Sequence, residues 1–408
     1  MSTERDRERK IRHEKIKKAL AKKPSKSLQN RFGITPDSIK KINTPAKQRK
    51  ELKKIIENNK RERPLKAKRT NPRIVDVKSL ANINTPYLTK TSEYPTPDWF
   101  RTTEKADVSV IVPLYRSSEV IKGLIRSWDF DDSYKIEIIF VDDYCPQNSK
   151  DVIVKNIEAR KKHLNNKIGK IFCNLTNLGF GPTCNVGAHF ATGDYLIFLN
   201  ADTIVTKNWI PPIIELLKNE DVGIVGNLQI KKGGIWDGSI DSAGSEWSWA
   251  SRSFLHIGRH IYAGNDLPQP YYTHNCPKEL MQVAEREMVT GCCLAIRKEL
   301  FDDIGGFNPN YKIGYWEDSE ICMNVREKGY KILFQPKSKI YHILSHSKSG
   351  SHAFQNQNTD YFMNKWVNSG RIDKLVSAKR NIPDVRNITI KRRDSNGDVL
   401  IASSVCAA

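Results

Sequence analysis

Tyr195-Leu196-Ile197-Phe198-Leu199-Asn200-Ala201-Asp202 is an apolar run that stops abruptly on a polar triplet. A short, continuous apolar stretch bounded in this way reads as a buried strand. Ile136–Val141 has the same form and stops at Asp142-Asp143. Val108–Pro113 and Lys170–Cys173 are two more strands of the kind. Helical patterns lie between them. Val120, Ile121, Leu124, Ile125 and Trp128 fall on one face of a helix over Ser118–Trp128. Further helices are expected over Ser149–Lys162 and, after a Gly-rich turn, over Pro182–Ala191. Strand and helix in alternation predict an α/β fold with an open, mostly parallel sheet flanked by helices. Ligands of such sheets bind beyond the carboxyl ends of the strands. The acidic pair Asp142-Asp143 and the triplet ending in Asp202 both fall there.

Past residue 220 the pattern loosens. Gly233–Ala250, rich in Gly, Ser and Trp, reads as loop or short antiparallel pieces. Met288–Arg297 is another apolar strand, Asp318–Lys328 a helix, and Lys331–Gln335 and Lys339–His342 two short strands. The globular body is expected over residues 107–376. Residues 377–408 read as an appendage in which Ser395-Asn396-Gly397 signals a hairpin. Residues 81–106, with Thr85-Pro86, Tyr94-Pro95 and Thr96-Pro97, read as an extended linker.

Charge separates these parts. The chain of 408 residues carries a formal +21. Residues 1–80 hold 27 basic and 9 acidic side chains, net +18, which leaves +3 for the rest. The sequence therefore predicts a nearly neutral body behind a basic N-terminal arm of short helices or disordered chain. One arm helix is expected from Thr44-Pro45 to about Arg61. Such an arm attracts polyanions, either nucleic acid or an anionic membrane surface. Its near-absence of aromatics, Phe32 alone, counts against single-strand stacking. Composition excludes a collagen, a coiled-coil rod and a wholly disordered chain. No apolar run approaches a membrane span. The first thirty residues carry no apolar leader core, so a cytoplasmic location is expected. None of the eight cysteines forms a C-x-x-C pair, and most sit in apolar stretches as small hydrophobes.

Three groups of residues could carry chemistry. Asp202, at a strand's end, suits a hard divalent cation completed by phosphate oxygens, although it could equally cap the following turn. Asn177-Leu178-Gly179-Phe180-Gly181 follows a strand and opens a helix. It resembles a dinucleotide fingerprint but has Cys184 where the third glycine belongs, which weakens an NAD-dependent reading. Trp316-Glu317-Asp318-Ser319-Glu320 concentrates carboxylates at a helix start, where the dipole alone favours them and where one could also serve as a general base.

In their order, these motifs resemble the family-2 glycosyltransferases of GT-A fold. The resemblance runs from Val108 to His342 through Val112-Pro113-Leu114-Tyr115, Val141-Asp142-Asp143, Asn177–Gly181 with Asn185 and Gly187, and Asn200-Ala201-Asp202. It continues through Thr290-Gly291, Gly305-Gly306-Phe307, Trp316–Glu320 and Tyr341-His342, and looks closest to the rhamnosyl- and hexosyltransferase branch. It implies a pocket for a nucleoside diphosphate sugar formed by Pro113, Tyr115, Asp143, Asn177, Gly179, Asn185, Asn200 and Gly291. It implies Mn2+ or Mg2+ at Asp202 and His342, with Asn200 standing where the family usually has the first Asp. Asp318 would be the catalytic base, with Glu317 and Glu320 shaping the acceptor side. Tyr144-Cys145-Pro146 and Ser319-Glu320 depart from the family pattern. The implied activity is an inverting, metal-dependent sugar transfer to a hydroxyl of a glycan or of a hydroxylated DNA base. The alternatives are a non-catalytic nucleic-acid-binding protein on the same scaffold and a nucleotidyltransferase on a related sheet.

Overall fold

A computed structural model describes residues 73–75, 91–376, 389–393 and 399–403, less 102–103, 130–131, 165–166, 235, 250, 259–270 and 344–351. The chain divides into units 1–71 and 72–408, and every described element belongs to the second. The expected basic arm, including its helix from Thr44, lies outside the described residues apart from Arg73–Val75.

The first half of the unit alternates strand and helix. Strands β1 (Arg73–Val75), β2 (Thr91–Tyr94) and β3 (Val108–Leu114) lead to α1 (Ile121–Ser127). Then come β4 (Ile136–Asp142), α2 (Ser149–Ala159), β5 (Ile168–Asn174), α3 (Phe180–Phe190) and β6 (Tyr195–Leu199). The second half holds β7 (Thr203–Val205), α4 (Pro211–Leu217), β8 (Val222–Lys232) and β9 (Ile240–Ser242). A small separate hairpin, β10 (Ser245–Ser248) and β11 (Ser253–His256), follows. The unit continues with β12 (Ala284–Arg286), β13 (Cys293–Arg297), α5 (Lys298–Asp303), α6 (Glu317–Glu327), β14 (Lys331–Ile343) and α7 (His352–Phe362). A last hairpin pairs β15 (Thr389–Arg393) with β16 (Val399–Ser403).

The central sheet runs β1-β2-β5-β4-β3-β6-β13-β8-β14-β12. Its nucleus β5-β4-β3-β6 is parallel, as the alternating pattern predicts. β13 runs antiparallel between β6 and β8, and β14 is again parallel to β8. The result is a mixed, mostly parallel central sheet flanked by helices, an α/β fold of GT-A type. Apolar side chains cover both faces. Val110, Val112, Ile138 and Phe140 join α1, α2 and α4 in one core. Ile111, Ile139, Val141 and Phe198 join α3 and α6 in the other. Gly187 lets α3 approach the sheet: a Cβ there would sit 2.4 Å from Ile111 Cγ2.

One polar side chain interrupts the apolar run of β4. Glu137, 1% exposed, accepts from Ser109 Oγ at 2.7 Å, Thr192 N–H at 2.9 Å and Lys170 Nζ at 2.8 Å. A buried carboxylate needs such a full set of partners. It fastens the Thr192-Gly193 turn to the sheet just before β6.

Three expectations about elements are corrected. The strand expected over Met288–Arg297 begins only at Cys293; Met288 forms an isolated bridge with Ser245, and Thr290 and Gly291 lie between the two outside the sheet. The two short strands after Lys331 are one strand, β14, with a register shift between Gln335 and Lys339. Pro336 lies in that shift and has no N–H to give the ladder. Within the expected linker, residues 91–94 form β2 and extend the sheet through antiparallel pairing with β5.

Candidate active site

The parallel strands end on one edge of the sheet, and a cavity of about 900 Å3 opens there. β3 delivers Pro113 and Tyr115 to its wall, β4 delivers Asp143, and β6 delivers Asn200 and Asp202. Asn177, Gly179, Gly291, Glu317, Asp318 and His342 complete the set from loops, from the start of α6 and from the end of β14. Of the thirteen residues given a role in the sequence, Asn185 and Glu320 do not line it. The Asn185 amide instead pins Phe307, accepting from the backbone N–H at 2.9 Å and donating to the carbonyl at 2.7 Å. It sits on α3, where the side chain faces the packed loop rather than the cavity.

Asp143 lines the cavity while bonding inward. Its carboxylate accepts from Leu178 N–H at 2.7 Å, Gly179 N–H at 2.9 Å and Asn174 Nδ2 at 3.0 Å. It thus shapes the 177–179 loop. Burial pushes its pKa up, and those same hydrogen bonds hold it down. Gly179 has φ 88, and a Cβ on it would meet the Ile313 backbone at 2.7 Å, so only glycine fits between the two loops.

Asp202 and His342 are distant in sequence and adjacent in the sheet. β7 follows Asp202 directly and pairs with β14, with Thr203 opposite His342. The Asp202 carboxylate lies 3.6 Å from His342 Nε2, and His342 Nδ1 bonds Asp241 Oδ2 at 3.0 Å. Burial alone would lower the pKa of His342, but Cys292, Asp202 and Asp241 outweigh it and raise it well above the usual value. With the ring protonated, Nδ1–H faces Asp241 and Nε2–H faces Asp202; a cation beside Asp202 would take the place of the Nε2 proton, while the bond from Nδ1–H to Asp241 keeps the imidazole oriented. A carboxylate oxygen and an imidazole nitrogen are a donor pair that Mn2+ accepts. No group of three or more His, Cys, Asp or Glu side chains forms a ready cage among the described residues. The pair thus fits a cation whose remaining ligands come from phosphate and water. Sequence reasoning missed Asp241, which lies in the Gly- and Ser-rich stretch without periodicity.

Glu317 and Asp318 open α6. Asp318 Oδ2 accepts from Gly291 N–H at 3.0 Å and Oδ1 from Ser319 N–H at 2.8 Å. Gly291 therefore serves the carboxylate. Phe180 and Asp318 crowd its α-carbon to 3.1 and 3.3 Å from where a Cβ would stand. Glu317 is 7% exposed, and its Oε2 has no hydrogen-bond partner. Burial, and next the charge of Asp318, push its pKa up to about 8. Burial also raises that of Asp318. Glu320, expected to shape the acceptor side, does not line the cavity. It is a buried hub that accepts from Asn308, Lys365, Tyr311 and Trp366. The far wall of the cavity comes from Gln355, Thr359 and Asp360 of α7, from Met363, Asn364 and Asn368 after it, and from Arg252 at the β10–β11 turn.

The profile of glycosyl transferase family 2 matches residues 109–305. This stretch is a family-2 glycosyl transferase domain. The chain is 24% identical over 219 residues to N-acetylgalactosaminyltransferase 7 of Homo sapiens, covering 52% of this chain and 31% of that protein. It is 33% identical over 140 residues to an uncharacterized glycosyltransferase of Nostoc sp., covering 34% of this chain and 41% of that one. An uncharacterized protein of Sinorhizobium fredii is 23% identical over 70% of this chain and 30% of its own length. The chain thus spans less than half the length of each of these curated relatives. Among solved structures, it is similar to GalNAc-T7 with UDP, GalNAc and Mn2+, at 23% identity and a TM-score of 0.46 over 59% of this chain and 43% of that one. It is also similar to the mannosyltransferase PcManGT of Pyrobaculum calidifontis with GDP-Man and Mn2+, at 17% identity and a TM-score of 0.44 over 70% and 69%.

Proposed function

We propose that this protein is a metal-dependent, inverting glycosyltransferase that moves a sugar from a nucleoside diphosphate sugar to a hydroxyl of a glycan. The observation that carries the proposal is that Asp202, His342 and Asp318 line one cavity at the strand ends of a family-2 domain. Asp202 and His342 would hold Mn2+ or Mg2+, which supplies positive charge to the departing diphosphate. Pro113, Tyr115 and Asn177 line the side where the nucleoside would lie, and Asp143 and Gly179 keep that wall in shape. Asp318, oriented by the Gly291 and Ser319 amides, takes the proton of the acceptor hydroxyl. The hydroxyl oxygen bonds to the anomeric carbon. The bond from that carbon to the diphosphate oxygen breaks, and its electron pair leaves with the diphosphate. One base and one displacement invert the linkage.

A glycan acceptor is favoured over DNA by charge. Asp143, Asp202, Asp241, Asp318 and Asp360 line the cavity, with Glu317 held neutral by burial, against Arg252 and the imidazole of His342. Away from the cation, which would meet the donor diphosphate, such a lining disfavours further phosphates, whereas amide and carboxylate side chains bond sugar hydroxyls. The match to family 2 lends no support to DNA modification. Incubation with a panel of sugar nucleotides, with and without Mn2+, tests the proposal: one donor is consumed, and only with a divalent cation. Asp318→Asn keeps binding the nucleotide and slows transfer by about 10²–10⁴-fold. Wild-type transfer by that variant would remove Asp318 as base, and full turnover in EDTA would remove the metal.

A further inference from the structure

We propose that Asn358 of α7 is a positioning residue, which holds the 312–316 loop in the shape that presents Glu317 and Asp318 to the cavity. The inference rests on the glycosyltransferase reading of those two carboxylates.

The loop is strained. Ile313, Tyr315 and Trp316 have φ of 65, 81 and 76. Side chains with a Cβ seldom adopt such angles, and a β-branched one least of all. Three such residues among four persist only where the surroundings over-determine them. Asn358 does so with one buried amide. It is 1% exposed. Its Nδ2 donates to the carbonyls of Lys312 at 2.9 Å and Gly314 at 2.7 Å, with Tyr315 O at 3.4 Å. Its Oδ1 accepts the Lys312 N–H at 3.0 Å. An amide supplies donor and acceptor on one plane, and no carboxylate or alkyl group of that size supplies both.

Two neighbouring contacts work in the same direction. The Trp316 indole N–H donates to Thr359 Oγ1 at 2.9 Å, and its ring stacks on Phe362 with centroids 4.4 Å apart. Phe180 N–H donates to Ile313 O at 2.8 Å, which ties the loop to the start of α3. The loop then runs into α6 without a break, since Glu320 N–H donates to Trp316 O at 2.8 Å. The direction of the first turn of α6, and with it of Glu317 and Asp318, follows from the loop. Ile313, Gly314, Tyr315 and Trp316 themselves line the cavity. α7 lies beyond residues 109–305, so this clamp is a feature of the chain outside the family-2 match.

The test compares full-length wild type with Asn358→Ala and Asn358→Asp. The second variant keeps the acceptor oxygen and loses the donor, and it decides the matter should the first not fold. Three quantities are measured: kcat for transfer, the Kd of UDP and of GDP with Mn2+ by calorimetry, and amide hydrogen exchange. The expected result is a fall in kcat of at least tenfold, with nucleotide Kd within threefold of wild type. Exchange over 312–316 should quicken at least tenfold while β13 stays unchanged. The proposal is overturned by kcat within twofold, by nucleotide binding lost in step with kcat, or by unchanged exchange over the loop. If the wild type transfers no sugar, the glycosyltransferase reading fails by itself, and the exchange measurement still decides whether Asn358 clamps the loop.

Discussion

Glu317 and Asp318 are sequence neighbours that burial separates in charge. Two adjacent buried carboxyls do not both ionise at neutral pH. The one with an unpartnered oxygen, Glu317, is pushed up to about 8, while Asp318 keeps two backbone N–H donors for its charged form. Glu317 is therefore neutral in the folded protein between its usual value of 4.5 and about 8, whereas in the unfolded chain it is ionised. The folded state binds the extra proton in that window, so stability falls as pH rises through it and levels off above. Glu317→Gln should flatten the fall of Tm across this window relative to wild type. The same variant, isosteric with the neutral acid, should keep activity within about threefold at pH 7 and lose the decline above pH 8. A wild-type Tm that is level from pH 5 to 8 would contradict this assignment.

At the scale of elements, Glu320 joins α6 to the turn that follows α7 and to the loop that precedes α6. Its two oxygens take Asn308 Nδ2 at 2.6 Å, Lys365 Nζ at 2.7 Å, the Tyr311 hydroxyl at 2.5 Å and the Trp366 indole at 3.1 Å. Glu320→Ala strands all four donors. Loss of one partner from a buried pair costs about 3–5 kcal/mol, and the partial exposure of Lys365 puts this site at the lower end. Urea unfolding should show a midpoint shift of that size with m unchanged. A shift within error would mean that the helices hold together by apolar packing alone. In sequence, Glu320 reads as one acid among three at a helix start. Its place on the inner face of α6 becomes visible only once Trp366 and Tyr311 are known to pack there.

At the scale of the molecule, charge and cavity are divided between different parts of the chain. The cavity is lined by residues from Pro113 to Asn368, none of them in the basic segment. Net charge outside residues 1–80 is only +3 against +18 within them. Removal of residues 1–71 should therefore leave donor turnover within about threefold and abolish most polyanion binding. The slope of log K against log salt should flatten accordingly. Heparin-column retention and turnover measured side by side check this. Unchanged retention would place the polyanion contact elsewhere. Among the described residues no helix is long and apolar enough to cross a membrane.

The strand ends could be read from the chain itself. Buried parallel strands are unbroken apolar runs, and a carboxylate or amide that stops one must stand at the edge where ligands bind. That local rule locates Asp143, Asn200 and Asp202, and the acidic start of α6 is local in the same sense. The pairing of residues remote in sequence is not local. His342 meets Asp202 because β7 and β14 register across the sheet, Asp241 stands behind it because β9 returns beside β8, and Asn358 reaches the 312–316 loop because α7 packs against that loop. Hydrophobic periodicity records which face of a segment is buried. It carries no information about which distant polar atom will lie opposite, and packing and hydrogen-bond satisfaction settle that in the folded protein alone.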